Sequence, residues 1–155
     1  MRNAIARVLA IATVHERLYR GENVTSVQLD TFLGDLCHEI ARAYGCPEGI
    51  ETNVDSIDLP TDMAVPLAPI VNELVTNVIK HVGPPCGVAL RRNSGGSLKL
   101  IVSDQGQGPL RSHSRGGLGS RIIEAFSNQL GATIETRRDS TRYEIVFTVP
   151  LPAPQ

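Results

Sequence analysis

Apolar residues recur three and four positions apart in four segments of the chain, and this spacing predicts four helices. These helices are predicted within residues 2–20, 26–44, 66–82 and 122–130. The first has no helix breaker and carries the alternating spacing typical of a coiled-coil or bundle seam. The second is expected to start near Asp30 and to stop at Gly45, and the fourth to be capped by Gly131.

Runs of alternating and β-branched residues separated by short polar turns predict strands between these helices. The strands are predicted at residues 87–92, 97–104, 132–137 and 141–149, with one or two short edge strands within 50–59. The first four form two hairpins. Helices interspersed with hairpins predict an α/β fold, a two-layer sandwich of a mixed sheet and three helices with an extra N-terminal helix.

Composition narrows the class of protein. The chain has 155 residues, 41% of them hydrophobic, which suits a single domain with its own core. Fifteen basic and 16 acidic residues give a net charge of −1, so nothing favours nucleic acid or an anionic membrane surface as a partner. No apolar run is long enough to span a membrane and no leader opens the chain, which predicts a cytoplasmic protein. The three scattered cysteines are predicted to be reduced thiols.

The third helix carries polar residues along one edge. Glu73 and Asn77 are four residues apart and Lys80 follows three later, so a carboxylate, an amide and an ammonium stack on that edge. Hard oxygen ligands suit Mg²⁺, and a cation suits phosphoryl charge. The alternative interpretation is the ordinary solvated face of an amphipathic helix.

Asp104 directly follows a predicted strand and opens a glycine-containing loop. A carboxylate there could accept a hydrogen bond from the exocyclic amine of adenine, whereas guanine presents a carbonyl that would be repelled. Gly106 and Gly108 would let the backbone approach a base or ribose closely. The alternative is a tight turn after a strand.

A second glycine motif, Gly116 to Gly119, leads into the fourth helix. The first backbone amides and the dipole of that helix would face an anion, which predicts a phosphate site. The alternative is a plain glycine loop. Between the two motifs, Arg111, His113 and Arg115 lie on a polar segment that could close over a triphosphate as a lid or stay solvated.

Together, these motifs resemble those of a known family. NELVTNVIKH (72–81), DQGQG (104–108) and GLG (117–119) resemble the N, G1 and G2 boxes of the GHKL ATPases, which have the Bergerat ATP-binding fold, and in particular those of sensor histidine kinases. The segment from Arg7 to Leu36 resembles the HisKA_2 branch, in which it forms the end of the second dimerisation helix and the entry to the catalytic domain.

The resemblance implies a role for each matching residue. It implies that Asn77 coordinates Mg²⁺, that Glu73 orients or activates the attacking group, and that Lys80 and His81 contact phosphate. It also implies that Asp104 reads adenine. The glycine motifs are implied to form the pocket wall, the lid hinge and the phosphate loop, through Gly106, Gly108, Gly117, Leu118 and Gly119.

The implied function is that of an ATP-binding catalytic domain, which transfers the γ-phosphoryl of Mg-ATP to a histidine on a dimerisation domain largely absent from this chain. Residues 1–22 are expected to end a dimerisation helix, 23–150 to form the catalytic domain and 151–155 a disordered tail. His15 is expected to be a packed bundle histidine rather than the phosphoacceptor. The implied partners are the histidine-containing dimerisation domain, a response regulator, and a second copy of the chain through the N-terminal helix.

Two alternatives stay open. A serine kinase of the anti-sigma type shares the three boxes, and its product would be an acid-stable phosphoserine instead of an acid-labile phosphohistidine. A non-catalytic phosphotransfer or dimerisation module that has lost ATP binding is the other, although the presence of Asn77, Asp104 and both glycine motifs argues against it.

Overall fold

The computed structural model of the protein describes residues 25–104, 117–138 and 143–151. The predicted N-terminal helix with His15, most of the predicted lid, and the turn between the last two strands lie outside the described residues. The helices are α1 Leu29–Ala43, α2 Thr61–Ala64, α3 Leu67–His81 and α4 Leu118–Leu130. The strands are β1 Ser26–Gln28, β2 Ile50–Val54, β3 Asp58–Pro60, β4 Cys86–Arg92, β5 Ser97–Asp104, β6 Thr133–Arg138 and β7 Tyr143–Pro150.

Five of the strands form one mixed sheet in the order β2-β4-β5-β7-β6. β2 runs parallel to β4, and the other neighbours are antiparallel. β1 and β3 form a separate antiparallel pair. The mixed sheet and the three long helices confirm the predicted α/β architecture.

The core lies between the sheet and the apolar stripes of the helices. Along β5, Leu98, Leu100 and Val102 are buried while Ser97 and Lys99 are partly exposed, so one face of the sheet is covered. α3 is the most deeply buried helix, because nearly every residue of its first three turns is inaccessible to solvent. Each fully buried aliphatic side chain contributes about 1.5–3 kcal/mol relative to its exposed state. α3 is therefore the element on which the sheet and the other helices pack.

The sequence explains where α3 begins and ends. Pro66 is its N-cap and Pro69 lies in its first turn, where a missing amide hydrogen costs nothing. After His81, the amide of Gly83 donates to the carbonyl of Val78 at 3.0 Å, and Gly83 adopts a positive φ of 97°. Glycine takes this conformation without strain, so the chain can turn away from the helix.

Several boundaries differ by a residue or two from those predicted. β1 and β3 pair through only three residues each, which is too short to give a periodic pattern in the sequence. β1 directly precedes α1, and β3 directly precedes α2. β7 continues through Pro150, and the amide of Leu151 donates to the carbonyl of Gly96 at 3.2 Å. Because Leu151 also packs against the core, it is not part of a disordered tail.

Candidate functional site

The polar edge of α3 changes from buried to exposed along the helix. Glu73 is only 1% exposed and Asn72 is buried beside it, whereas Asn77 is half-buried and Lys80 and His81 are exposed. The interpretation of this edge as a solvated face is therefore wrong at Glu73. Burying a carboxylate costs free energy that an apolar side chain at the same position would not cost. A buried carboxylate of this kind is a candidate for a chemical role.

The N-terminus of α4 lies directly against the Glu73 side chain. A Cβ atom built on Gly119 would overlap Oε2 of Glu73 and would lie 3.4 Å from its Cδ. Only a glycine allows the backbone to approach a buried carboxylate this closely. The structure thus brings the 72–81 motif and the 117–119 motif together.

The first turn of α4 is built to present its amides. Gly117 is the extended N-cap residue, its carbonyl accepts a 2.8 Å hydrogen bond from the Ser120 hydroxyl, and the Arg121 amide donates to the same carbonyl. The earlier amides of a helix have no intrahelical acceptor, and the helix dipole makes this end positive. The turn can therefore receive an anion. Leu118 is 67% exposed at this turn.

Asp104 ends β5 as a second buried carboxylate, only 8% exposed. It lies close to the thiol of Cys86 at the start of β4. Burial is the largest cause of a pKa of about 12 for Cys86, and the neighbouring Cys37, Asp104 and Cys46 contribute to the same rise in that order. Burial likewise raises the pKa of Cys37 to about 12. All three cysteines are free, as predicted, and the two buried thiols stay neutral at physiological pH.

Two neighbours of the site, Cys86 and Tyr44, were not predicted from the sequence. Cys86 could have been found from the hairpin register, because Gly87 pairs with Ser103 and the preceding residue therefore lies opposite Asp104. Tyr44 carries no such signal. Its ring lies under the Lys80 ammonium, with Nζ 5.9 Å from the ring centroid. Gly106, Gly108 and the three polar lid residues lie outside the described residues.

The described side chains at this site supply too few ligands to hold a magnesium ion alone, so a second molecule must supply the remaining ligands. Within the described residues, no group of three or more His, Cys, Asp or Glu side chains could hold a metal ion. Mg²⁺ in proteins commonly keeps several waters and binds one or two side-chain oxygens plus substrate phosphates. The half-buried Asn77 offers an amide oxygen of this kind. The residues therefore fit Mg²⁺ that arrives with a polyphosphate.

Comparison with solved structures shows that the chain is similar to histidine kinase domains. The fold is similar to that of the histidine kinase domain from the Erythrobacter litoralis EL346 blue-light activated histidine kinase, with a TM-score of 0.77 and 26% identity, covering 96% of this chain and 75% of that chain. It is also similar in fold to the histidine kinase domain of the E. coli osmosensor EnvZ, with a TM-score of 0.61 and 18% identity, covering 87% of this chain and 93% of that chain.

Sequence comparison points to a particular branch. Residues 1–44 match the HisKA_2 family, described as histidine kinase. The chain is 30% identical to blue-light-activated histidine kinase 2 of Erythrobacter litoralis (strain HTCC2594) over 81% of its length, and it spans 39% of the length of that protein. Together with the fold, these matches confirm the resemblance to sensor histidine kinases. No helix in the described part of the chain is long and apolar enough to cross a membrane.

Proposed function

We propose that this chain is the ATP-binding catalytic domain of a two-component histidine kinase. It would transfer the γ-phosphoryl group of Mg-ATP to a histidine on a dimerisation domain. The observation that carries the proposal is the approach of Gly119 to the buried Glu73 carboxylate, which joins two of the three sequence motifs. The proposed division of the chain is a dimerisation-helix end at 1–22 and a catalytic domain at 23–150.

Each motif supplies a different part of the nucleotide site. Asp104 accepts a hydrogen bond from the adenine amine, and its burial keeps water from competing for that bond. The positive end of α4, at Gly117 to Gly119, receives phosphate oxygens. Lys80 and His81 contact the phosphates from the exposed end of α3. Gly106 and Gly108, which lie outside the described residues, would supply the pocket wall.

Phosphoryl transfer depends on positioning and charge neutralisation more than on covalent catalysis. Asn77 would hold Mg²⁺, which neutralises charge on the β- and γ-phosphates when bound. Glu73 orients or activates the attacking imidazole of the acceptor histidine, and its place beside the first turn of α4 keeps it near the phosphate end of the site. Lys80 adds a second cation for the charge that develops during transfer.

The proposed partners follow from the reaction. The acceptor histidine belongs to a dimerisation domain, a response regulator takes the phosphoryl group onward, and the N-terminal helix would pair with a second copy of the chain. The match of residues 1–44 to a histidine kinase family supports a histidine acceptor over the serine of an anti-sigma-type kinase. Incubation with labelled ATP and a supplied acceptor domain should give a label that acid removes, whereas an acid-stable label would indicate phosphoserine.

Nucleotide titration tests the site itself. Asp104→Asn should weaken Mg-ATP binding by about tenfold or more, because a hydrogen bond to a charged group contributes about 1.5–3 kcal/mol. Asn77→Ala should weaken binding in Mg²⁺ but much less in its absence. Matched controls are Asp58→Asn and Asn128→Ala, which change exposed residues of the same types. Unchanged affinity in Asp104→Asn and Asn77→Ala would show that the site is assigned wrongly.

A further inference from the structure

Tyr44 ends α1 at the point where that helix meets the last turn of α3. It is the C-cap residue of α1, and its amide donates to the carbonyl of Ile40 at 3.1 Å. The side chain is partly buried and packs against the hydrophobic core. Its phenol oxygen is buried as well. The ring therefore has a fixed position in the folded domain.

Lys80 reaches over this ring from α3. Its Nζ atom lies 5.9 Å from the ring centroid, within the distance at which an ammonium is attracted to the face of an aromatic ring. The lysine itself is exposed. A lysine side chain otherwise samples many rotamers, and holding one of them for a ligand costs conformational entropy. A fixed aromatic surface reduces that cost before the ligand arrives.

The contact between Tyr44 and Lys80 joins the segment that matches a known family to one of the three motifs of the proposed nucleotide site. Tyr44 is the last residue of the segment that matches the HisKA_2 family, and Lys80 belongs to the motif at 72–81. Glu73 and Lys80 are seven residues apart, which is nearly two turns, so both lie on one edge of α3. The ring of Tyr44 thus supports the exposed end of the same edge that Gly119 contacts at its buried end.

We propose that Tyr44 is a positioning residue, whose ring holds the Lys80 ammonium ready for the nucleotide phosphates. This role rests on the proposed Mg-ATP site. It predicts an effect on ligands that carry phosphate and none on the nucleoside alone, because only phosphate contacts the ammonium. An exposed cation–π contact is weak, so the expected change in Mg-ATP affinity is about two- to five-fold.

The experiment compares Mg-ATP and adenosine affinities of the whole chain by calorimetric titration. Tyr44→Leu and Tyr44→Met remove the ring, and the second fills the space with an adaptable side chain. Both should weaken Mg-ATP binding by about two- to five-fold and leave adenosine affinity unchanged. Tyr44→Phe keeps the ring face and should bind Mg-ATP as the wild type does. In a Lys80→Met background, removing the ring should have no further effect on Mg-ATP affinity.

Phe32→Leu is the matched control, because Phe32 is another partly buried aromatic residue of α1 that packs on the core. It should leave the ratio of Mg-ATP to adenosine affinity unchanged. The role of Tyr44 is refuted if ring removal weakens adenosine and Mg-ATP equally, if Tyr44→Phe behaves like Tyr44→Leu, or if the loss persists without Lys80. A wild-type chain with no saturable Mg-ATP binding would instead refute the proposed function, and this role with it.

Discussion

Replacing Gly119 with alanine tests the close approach of α4 to Glu73. At an ordinary helical position, glycine to alanine stabilises a protein by about 0.5–1 kcal/mol, because alanine loses less conformational entropy on folding. At Gly119 the new methyl group would overlap Oε2 of Glu73. The carboxylate is 1% exposed and has little space into which it can move.

The balance of these two effects gives the expected magnitude. Overpacking a well-packed site typically costs about 1–3 kcal/mol, which exceeds the entropic gain. Gly119→Ala should therefore lower the free energy of unfolding by about 0.5–2 kcal/mol, and it should also weaken Mg-ATP binding because α4 shifts away from the site. Gly34→Ala is the control. Gly34 lies within α1 and a Cβ built there meets nothing within 4 Å, so this change should stabilise the protein.

Urea unfolding of both variants, in the wild-type and Glu73→Ala backgrounds, separates the overlap from other effects. Once the Glu73 side chain is removed, Gly119→Ala should become stabilising, as Gly34→Ala is. Equal changes in the free energy of unfolding for Gly119→Ala and Gly34→Ala in the wild-type background would refute a destabilising overlap between Gly119 and Glu73. Equal destabilisation by Gly119→Ala in both backgrounds would refute it too.

Two further predictions concern stability. Gly131→Ala should lower the free energy of unfolding by about 1 kcal/mol, since Gly131 caps α4 at a φ of 62° that alanine adopts only with strain; Gly34→Ala again gives the contrast. The raised pKa values of Cys37 and Cys86, from 9.0 to about 12, favour the neutral thiols in the folded state, so stability should be fully present below pH 9 and fall as the pH rises towards 12. The free energy of unfolding, measured from pH 8 to 11, should show this fall, and Cys86→Ala should make the fall with pH less steep. An equally steep fall in Cys86→Ala would contradict the raised pKa of Cys86.

Local patterns predicted most of the elements because their signals lie in neighbouring residues. The hairpin of β4 and β5 is an example, since the Asn93 side chain accepts a hydrogen bond from the Ser97 amide at 3.0 Å and Gly96 has a positive φ of 74°. A polar turn with these residues specifies the register of both strands. The three-residue strand β1 carries no comparable pattern and was missed, whereas β2 and β3 correspond to the short edge strands predicted within 50–59.

The polar edge of α3 was predictable as a set of residues, but the environment of those residues was not. Helical spacing places Glu73, Asn77 and Lys80 on one edge, and the sequence motifs predict that edge. The spacing could not reveal that α4 covers Glu73, because the covering residue is distant in the chain. The same holds for Tyr44, whose contact with Lys80 depends on how two helices meet. Contacts between helices or strands that are distant in the chain do not produce a periodic pattern in a single sequence.

The position of β7 in the sheet has a consequence for biosynthesis. β7 forms hydrogen bonds with β5 on one side and β6 on the other, although it is synthesised after every other strand in the described part of the chain. Until Pro150 has left the ribosome, β5 has an open edge and β6 has no neighbour to pair with. Open strand edges promote aggregation, and pairing between distant segments is slow. A nascent chain that stalls before β7 would therefore expose an incomplete, aggregation-prone sheet to chaperones and proteases.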